Sequence, residues 1–143
     1  MFSVKRVIDN SLLQIVGVFS SITGASVHDC CIVDDTVVFV VSPGDVGKAV
    51  GSGGSNIPRL SRALNRKIKI VEFNSELEKF VENLVFPLKI SRILVKDKGV
   101  TLVPFDYHTR GLLIGRNASE LRLNEAVLER LFGCKSLRVS DGS

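Results

Sequence analysis

Val50-Gly51-Ser52-Gly53-Gly54-Ser55-Asn56-Ile57 decides how this chain is read. It follows the glycine-dense run Gly44-Asp45-Val46-Gly47-Lys48-Ala49, which suits a short apolar helix ending at Val50. Helical character resumes near Ser55, with Ile57, Leu60 and Leu64 on one face. Pro58 falls in the first turn of that helix, where a missing N–H removes no intrahelical bond. Between the two helices the glycines leave backbone N–H groups uncovered by side chains, close to the positive terminus of a helix. Such a turn suits a phosphate. Lys48, Arg59, Arg62, Arg66, Lys67 and Lys69 lie close enough in sequence to track a longer polyanion, with affinity that falls as salt rises.

Toward the N-terminus, Val4, Ile8, Leu12, Ile15, Phe19 and Ile22 recur at three- and four-residue intervals, which predicts a helix ending near Gly24. Residues 27–33 and 37–41 read as strands split by a turn at Asp34-Asp35. The second is apolar throughout, as a central strand covered on both faces should be. Beyond the glycine turn, residues 67–73 alternate as a strand. Ser75-Glu76-Leu77-Glu78 has capping-box spacing, and Leu77, Phe80, Val81, Leu84 and Val85 continue an amphipathic helix that Pro87 terminates. Strand-like residues 90–95 and 100–105 then flank a Lys98-Gly99 turn. A short helix at 111–114, another glycine turn, a longer helix ending near Gly133 and a strand at 136–139 complete the pattern.

The element order therefore occurs twice. Displacing the sequence by 64 positions sets Gly47 on Gly111, Val50 on Ile114, Gly51 on Gly115 and Ile57 on Leu121. Two copies of one module are expected, at residues 1–73 and 74–143. No Gly/Ser-rich or Pro-rich linker separates them, which predicts rigid packing rather than free swinging.

Residues 50–57 resemble the VIGxxGxxI signature of KH domains, which clamp four backbone nucleotides with their GxxG loop. Ile114-Gly115-Arg116-Asn117-Ala118-Ser119-Glu120-Leu121 resembles a second, altered copy, with Ala118 where the pattern has Gly. Each loop comes after two strands and before a single closing strand, an order that resembles the type II KH arrangement. The tandem pair is similar to that of the NusA transcription factors in their short archaeal form. The resemblance implies an α+β fold of two KH-like modules, each a small three-stranded mixed sheet covered on one face by helices. It also implies single-stranded RNA as partner and a role in transcription termination or antitermination, with RNA polymerase as a further partner; a cytoplasmic location is expected because the cysteine usage suits a reduced, intracellular compartment. Neither the polymerase-binding domain nor the S1 domain of the longer bacterial relatives is expected within 143 residues.

Under this reading Gly51, Ser52, Gly53 and Gly54 hold the RNA backbone, and Lys48, Asn56, Arg59 and Arg62 reach phosphate or base edges. Gly115, Arg116, Asn117, Ala118 and Arg122 extend the track. Val50, Ile57 and Ile68 are candidates for an aliphatic base groove, although core packing is the commoner fate of such side chains. Ala118 fits the turn without strain only if its φ is negative. Glu120, Glu125 and Glu129 make the helix after the second loop less attractive to RNA, so the first module is expected to dominate affinity. RRM and OB modules stack bases on exposed aromatics. Here the eight Phe sit at apolar-face or strand positions and Tyr107 is alone, which argues against both.

Composition bounds the alternatives. The chain has 19 Lys+Arg against 15 Asp+Glu, a formal charge of +4, and 45% hydrophobic residues, as a folded globular chain should. Residues 44–72 carry +4 and residues 110–138 carry +3, so the remainder sums to −3. The uncharged segment 10–27 reads as a soluble amphipathic helix rather than a signal or membrane segment. Cys30, Cys31 and Cys134 form no CxxC pair, His28 and His108 have no ligand spacing, and no metal or cofactor is expected. Asp34-Asp35 reads as a turn and Glu76, Glu78 and Glu82 as a solvated helix face. Residues 44–49 lack Walker spacing, and Gly51-Ser52-Gly53-Gly54 does not complete a dinucleotide fingerprint, so no enzyme is expected. The alternative to an RNA-binding protein is an interaction scaffold that contacts RNA polymerase or a ribonucleoprotein, with weak RNA affinity. A small phosphate-site enzyme ranks third.

Overall fold

The structure is a computed structural model and describes residues 10–141. Val4 and Ile8 of the first apolar stripe lie outside the described residues. Contacts divide the chain into two compact units that meet in sequence between Asn74 and Ser75.

In the first unit, α1 (Asn10–Thr23) buries Leu12 and Phe19 and half-buries Ile15 and Ile22, as their spacing requires. Thr23 Oγ1 donates to Phe19 O at 2.8 Å and accepts from Ala25 N at 3.0 Å, and Gly24 leaves the helix at φ +70°. Strands β1 (Val27–Val33) and β2 (Thr36–Val41) pair antiparallel about a turn in which Asp34 takes φ +53°. β2 also pairs in parallel with β3 (Lys67–Glu72), Thr36 opposite Lys67 and Val41 opposite Glu72. The crossover that returns the chain for this parallel pairing consists of α2 (Val46–Val50), a short 3₁₀ turn at Ser52–Gly54, and α3 (Asn56–Leu64). Phe19 stacks on Phe39 at 4.1 Å between centroids, in a core with Cys30, Val37, Val41, Ala49 and Leu60. Val37 to Val41 are all buried, in agreement with a central strand. His28, in β1, stacks on Phe73 at 3.8 Å.

The second unit repeats the order. It comprises α4 (Leu77–Val85), β4 (Ile90–Lys96), β5 (Gly99–Pro104), α5 (Tyr107–Ile114), a 3₁₀ turn at Arg116–Ala118, α6 (Ser119–Phe132) and β6 (Ser136–Val139). The sheet order is β4-β5-β6, antiparallel then parallel. Phe80 of α4 packs against Phe132 of α6 at 5.4 Å. The architecture is thus α+β, with one three-stranded mixed sheet in each unit.

Three expectations need correction. The helix after Ser75 begins at Leu77 with Glu76 as its N-cap and no side-chain capping bond, so the capping box does not form. α5 starts at Tyr107 rather than near Gly111, because Asp106 caps it by accepting the Thr109 amide at 2.8 Å. Aromatic side chains are not all on apolar faces. Phe86 is 78% exposed, Phe105 66% and Tyr107 82%. The three cysteines are buried, and burial pushes the Cys134 thiol up from its ordinary value against the opposing effect of Lys98.

Candidate nucleic-acid interface

The two glycine turns share one backbone path. Gly51 has φ 81°, ψ 169° and Gly115 has φ 77°, ψ 173°, a region essentially confined to glycine. A second constraint acts at both positions. A Cβ on Gly51 would lie 2.8 Å from Asn56 Nδ2, and one on Gly115 would lie 2.7 Å from Glu120 Cβ. The next two left-handed residues also correspond: Gly53 at φ 62° and Gly54 at φ 75°, against Asn117 at φ 54° and Ala118 at φ 60°. The altered second loop therefore keeps the shape of the first. Ala118 takes the positive φ that the sequence reading associates with strain.

Hydrogen bonds determine which amides face outward. Gly51 N donates to Gly47 O, Gly54 N to Gly51 O and Ser55 N to Ser52 O. The Ser52 and Gly53 amides take no part in these bonds, and both residues are exposed. In the second loop Gly115 N donates to Gly111 O, Ala118 N to Gly115 O and Ser119 N to Arg116 O, which leaves the exposed Arg116 and Asn117 in the same position. Each turn thus has two adjacent amides outside these bonds, the backbone arrangement from which anion-binding concavities are built.

Lys48, Arg59, Arg62, Arg116 and Arg122 are all exposed around the loops. Arg122 Nη1 donates to Asn117 O at 3.0 Å, bracing the second turn. Asn56 is placed differently from the sequence expectation of a phosphate or base contact. It is 8% exposed, and its Nδ2 donates to Lys48 O and Ala49 O, both at 3.2 Å. Its Oδ1 accepts from Arg59 Nη1 at 3.1 Å. Asn56 thus latches the end of α2 to the start of α3 and aims Arg59. The latch satisfies two carbonyls that the short helix leaves without intrahelical partners.

Of the aliphatic candidates, Val50 and Ile57 are half-buried, whereas Ile68 packs against the core of the first unit. Their counterparts Ile114, Leu121 and Leu137 line an open cleft of about 550 Å³ in the second unit, together with Arg110, Arg138 and Val139. Sequence reasoning missed this cleft and Arg110 within it. The available signal was the displacement of 64, which carries the groove positions Val50 and Ile57 onto Ile114 and Leu121. Among the described residues, no cluster of His, Cys, Asp and Glu could hold a metal ion, and no helix is long and apolar enough to cross a membrane.

Comparison with known proteins agrees with this geometry. The KH domain family model matches residues 16–76. A probable transcription termination protein NusA of Methanococcus vannielii is 31% identical over 130 residues, covering 89% of this chain and 75% of the relative. The protein of the same name from Halobacterium salinarum is 29% identical over 129 residues, covering 89% and 93%. The crystal structure of APE1850 superposes with a TM-score of 0.76 at 30% identity, covering 90% of this chain and 96% of that one. The relatives carry the name of a transcription termination protein and not of an enzyme, in keeping with the non-enzymatic reading of the sequence. With one family's signature, two matching loops and relatives alike over most of their length, the chain belongs to the NusA-like KH-domain proteins.

Proposed function

We propose that this protein binds single-stranded RNA through both GxxG-type loops and acts in transcription termination or antitermination in the cytoplasm. Each of two modules, residues 1–73 and 74–143, presents one loop. The observation that carries this reading is the shared loop geometry: two outward amides, at Ser52 and Gly53 and at Arg116 and Asn117, held by a glycine that no other residue can replace. Phosphate sits on the amides, Lys48, Arg59, Arg62, Arg116 and Arg122 supply counter-charge, and bases lie against the aliphatic walls. The name shared by the relatives supports the transcriptional role.

Replacing Ser52 and Gly53 together by Asp puts two negative charges where a phosphate belongs. The expected outcome is loss of first-loop RNA binding in a protein whose circular dichroism is unchanged, measured by fluorescence anisotropy with a short labelled RNA. Unaltered affinity would reject the site. A second reading, a scaffold that contacts RNA polymerase, draws on the exposed Phe86, Phe105 and Tyr107, aromatic surface that a partner protein would cover. RNA binding that vanishes near physiological salt while a polymerase complex persists would favour it.

A further inference from the structure

Arg110 stands one helical turn before Ile114 on α5, and both side chains line the cleft beside the second loop. Its Nε donates to Ser140 O at 3.1 Å, and its Nη2 lies 3.5 Å from Asp141 Oδ1. These two nitrogens form one edge of the guanidinium plane, so the chain leaving β6 holds that edge. The Nη1/Nη2 end keeps a fork of N–H donors. The guanidinium carbon also sits 6.0 Å from the Tyr107 ring centroid, and the side chain is only 29% exposed. A long, adaptable side chain is thereby fixed before any ligand arrives.

The corresponding position of the first unit carries no guanidinium. The displacement of 64 puts Val46 at the place of Arg110. The parallel registers, Thr36 opposite Lys67 and Gly99 opposite Ser136, make Glu72 the counterpart of Asp141. Glu72 Oε2 accepts from Gly44 N at 3.1 Å, closing a loop where Asp141 steadies a cation. The two units therefore differ in chemistry at the position next to these aliphatic side chains.

We propose, on the basis of the RNA-binding reading above, that Arg110 makes the second unit selective for a base with two adjacent acceptors on one edge. Cytosine offers O2 and N3, and guanine offers O6 and N7; a forked donor pair matches either. Adenine and uracil alternate donor and acceptor along their edges and match only one arm. A phosphate would also accept the fork, but the loop amides already serve the backbone, and Ile114, Leu121 and Leu137 wall the cleft with surface suited to a base. The first unit, with Val46, is tolerant of base identity.

The test uses the full chain carrying Ser52→Asp and Gly53→Asp, so that the second loop is read alone. Eight-nucleotide RNAs of uracil with one cytosine, guanine or adenine stepped through every position are titrated by fluorescence anisotropy. At one position cytosine or guanine should bind about tenfold more tightly than adenine or uracil, the size expected for one bidentate base contact. The two arms identify which base it is. Arg110→Lys, which keeps the charge and loses the fork, should bring that ratio to within about twofold of unity, with the fold checked by circular dichroism. RNA bound equally well whatever the base overturns the inference and leaves the RNA-binding reading intact. A preference that persists in the Lys variant overturns it as well. If the unmutated chain binds none of these RNAs, the reading and the inference fall together.

Discussion

At Ala118 the second loop keeps a left-handed backbone with φ 60° that an L-residue adopts at a cost of about 1–2 kcal/mol. Gly54 occupies the same place in the first loop without that penalty. Ala118→Gly is expected to raise unfolding stability by about 1 kcal/mol, part of the relief being offset by the wider freedom of glycine in the unfolded chain. Chemical denaturation monitored by circular dichroism measures it, and a neutral or destabilising result would show that the loop relaxes around Ala118. Sequence alone made Gly51 and Gly115 legible through the loop signature and the displacement of 64, and their backbone region with the 2.8 and 2.7 Å approaches gives the physical reason, since both admit only glycine. It did not make Asn56 legible. An amide at the head of a helix suits a phosphate and a helix-end carbonyl equally well, and only the packing of α2 against α3 decides which it meets.

Among the elements, α5 differs most from its sequence reading. Gly111 lowers helix propensity at its centre, so apolar spacing registers only the last turn, and the start is set by a single capping carboxylate. The bond from the Thr109 amide holds the Asp106 carboxyl below its ordinary range, with smaller help from the Thr109 side chain and from His108, and burial opposes them. A group whose folded pKa is depressed contributes stability above its unfolded value and loses it as pH falls through the folded one. The cap is therefore fully present at neutral pH and is lost in acid. Asp106→Asn keeps the acceptor without the charge, so the Thr109 amide signal in NMR should stop responding to acid titration between neutral pH and pH 2. An unchanged titration would assign the response to another group. Strands and the longer helices were easier to read, because periods of two and 3.6 residues survive small errors at the ends.

For the whole molecule, the tandem architecture was legible through the displacement of 64, since a repeated element order constrains fold more strongly than any single motif. Arg110 was hidden at this scale, because its partners lie about 30 residues away and meet it only once β6 has paired with β5. Five exposed cations surround the loops. If one RNA engages both, the logarithm of affinity should fall with the logarithm of salt with a slope of about −3.5, at roughly −0.7 per neutralised phosphate on a single strand. A slope near −2, the share of Lys48, Arg59 and Arg62, would indicate that the first loop acts alone. The contrast between the loops also has a thermal consequence. Gly53 and Gly54 let the first bend sample many shapes, whereas the side chains of Asn117 and Ala118 narrow the second to few. Closing on a ligand then forfeits less disorder at the second bend, which weakens less on warming, so heat shifts the grip from the first half of the chain to the second.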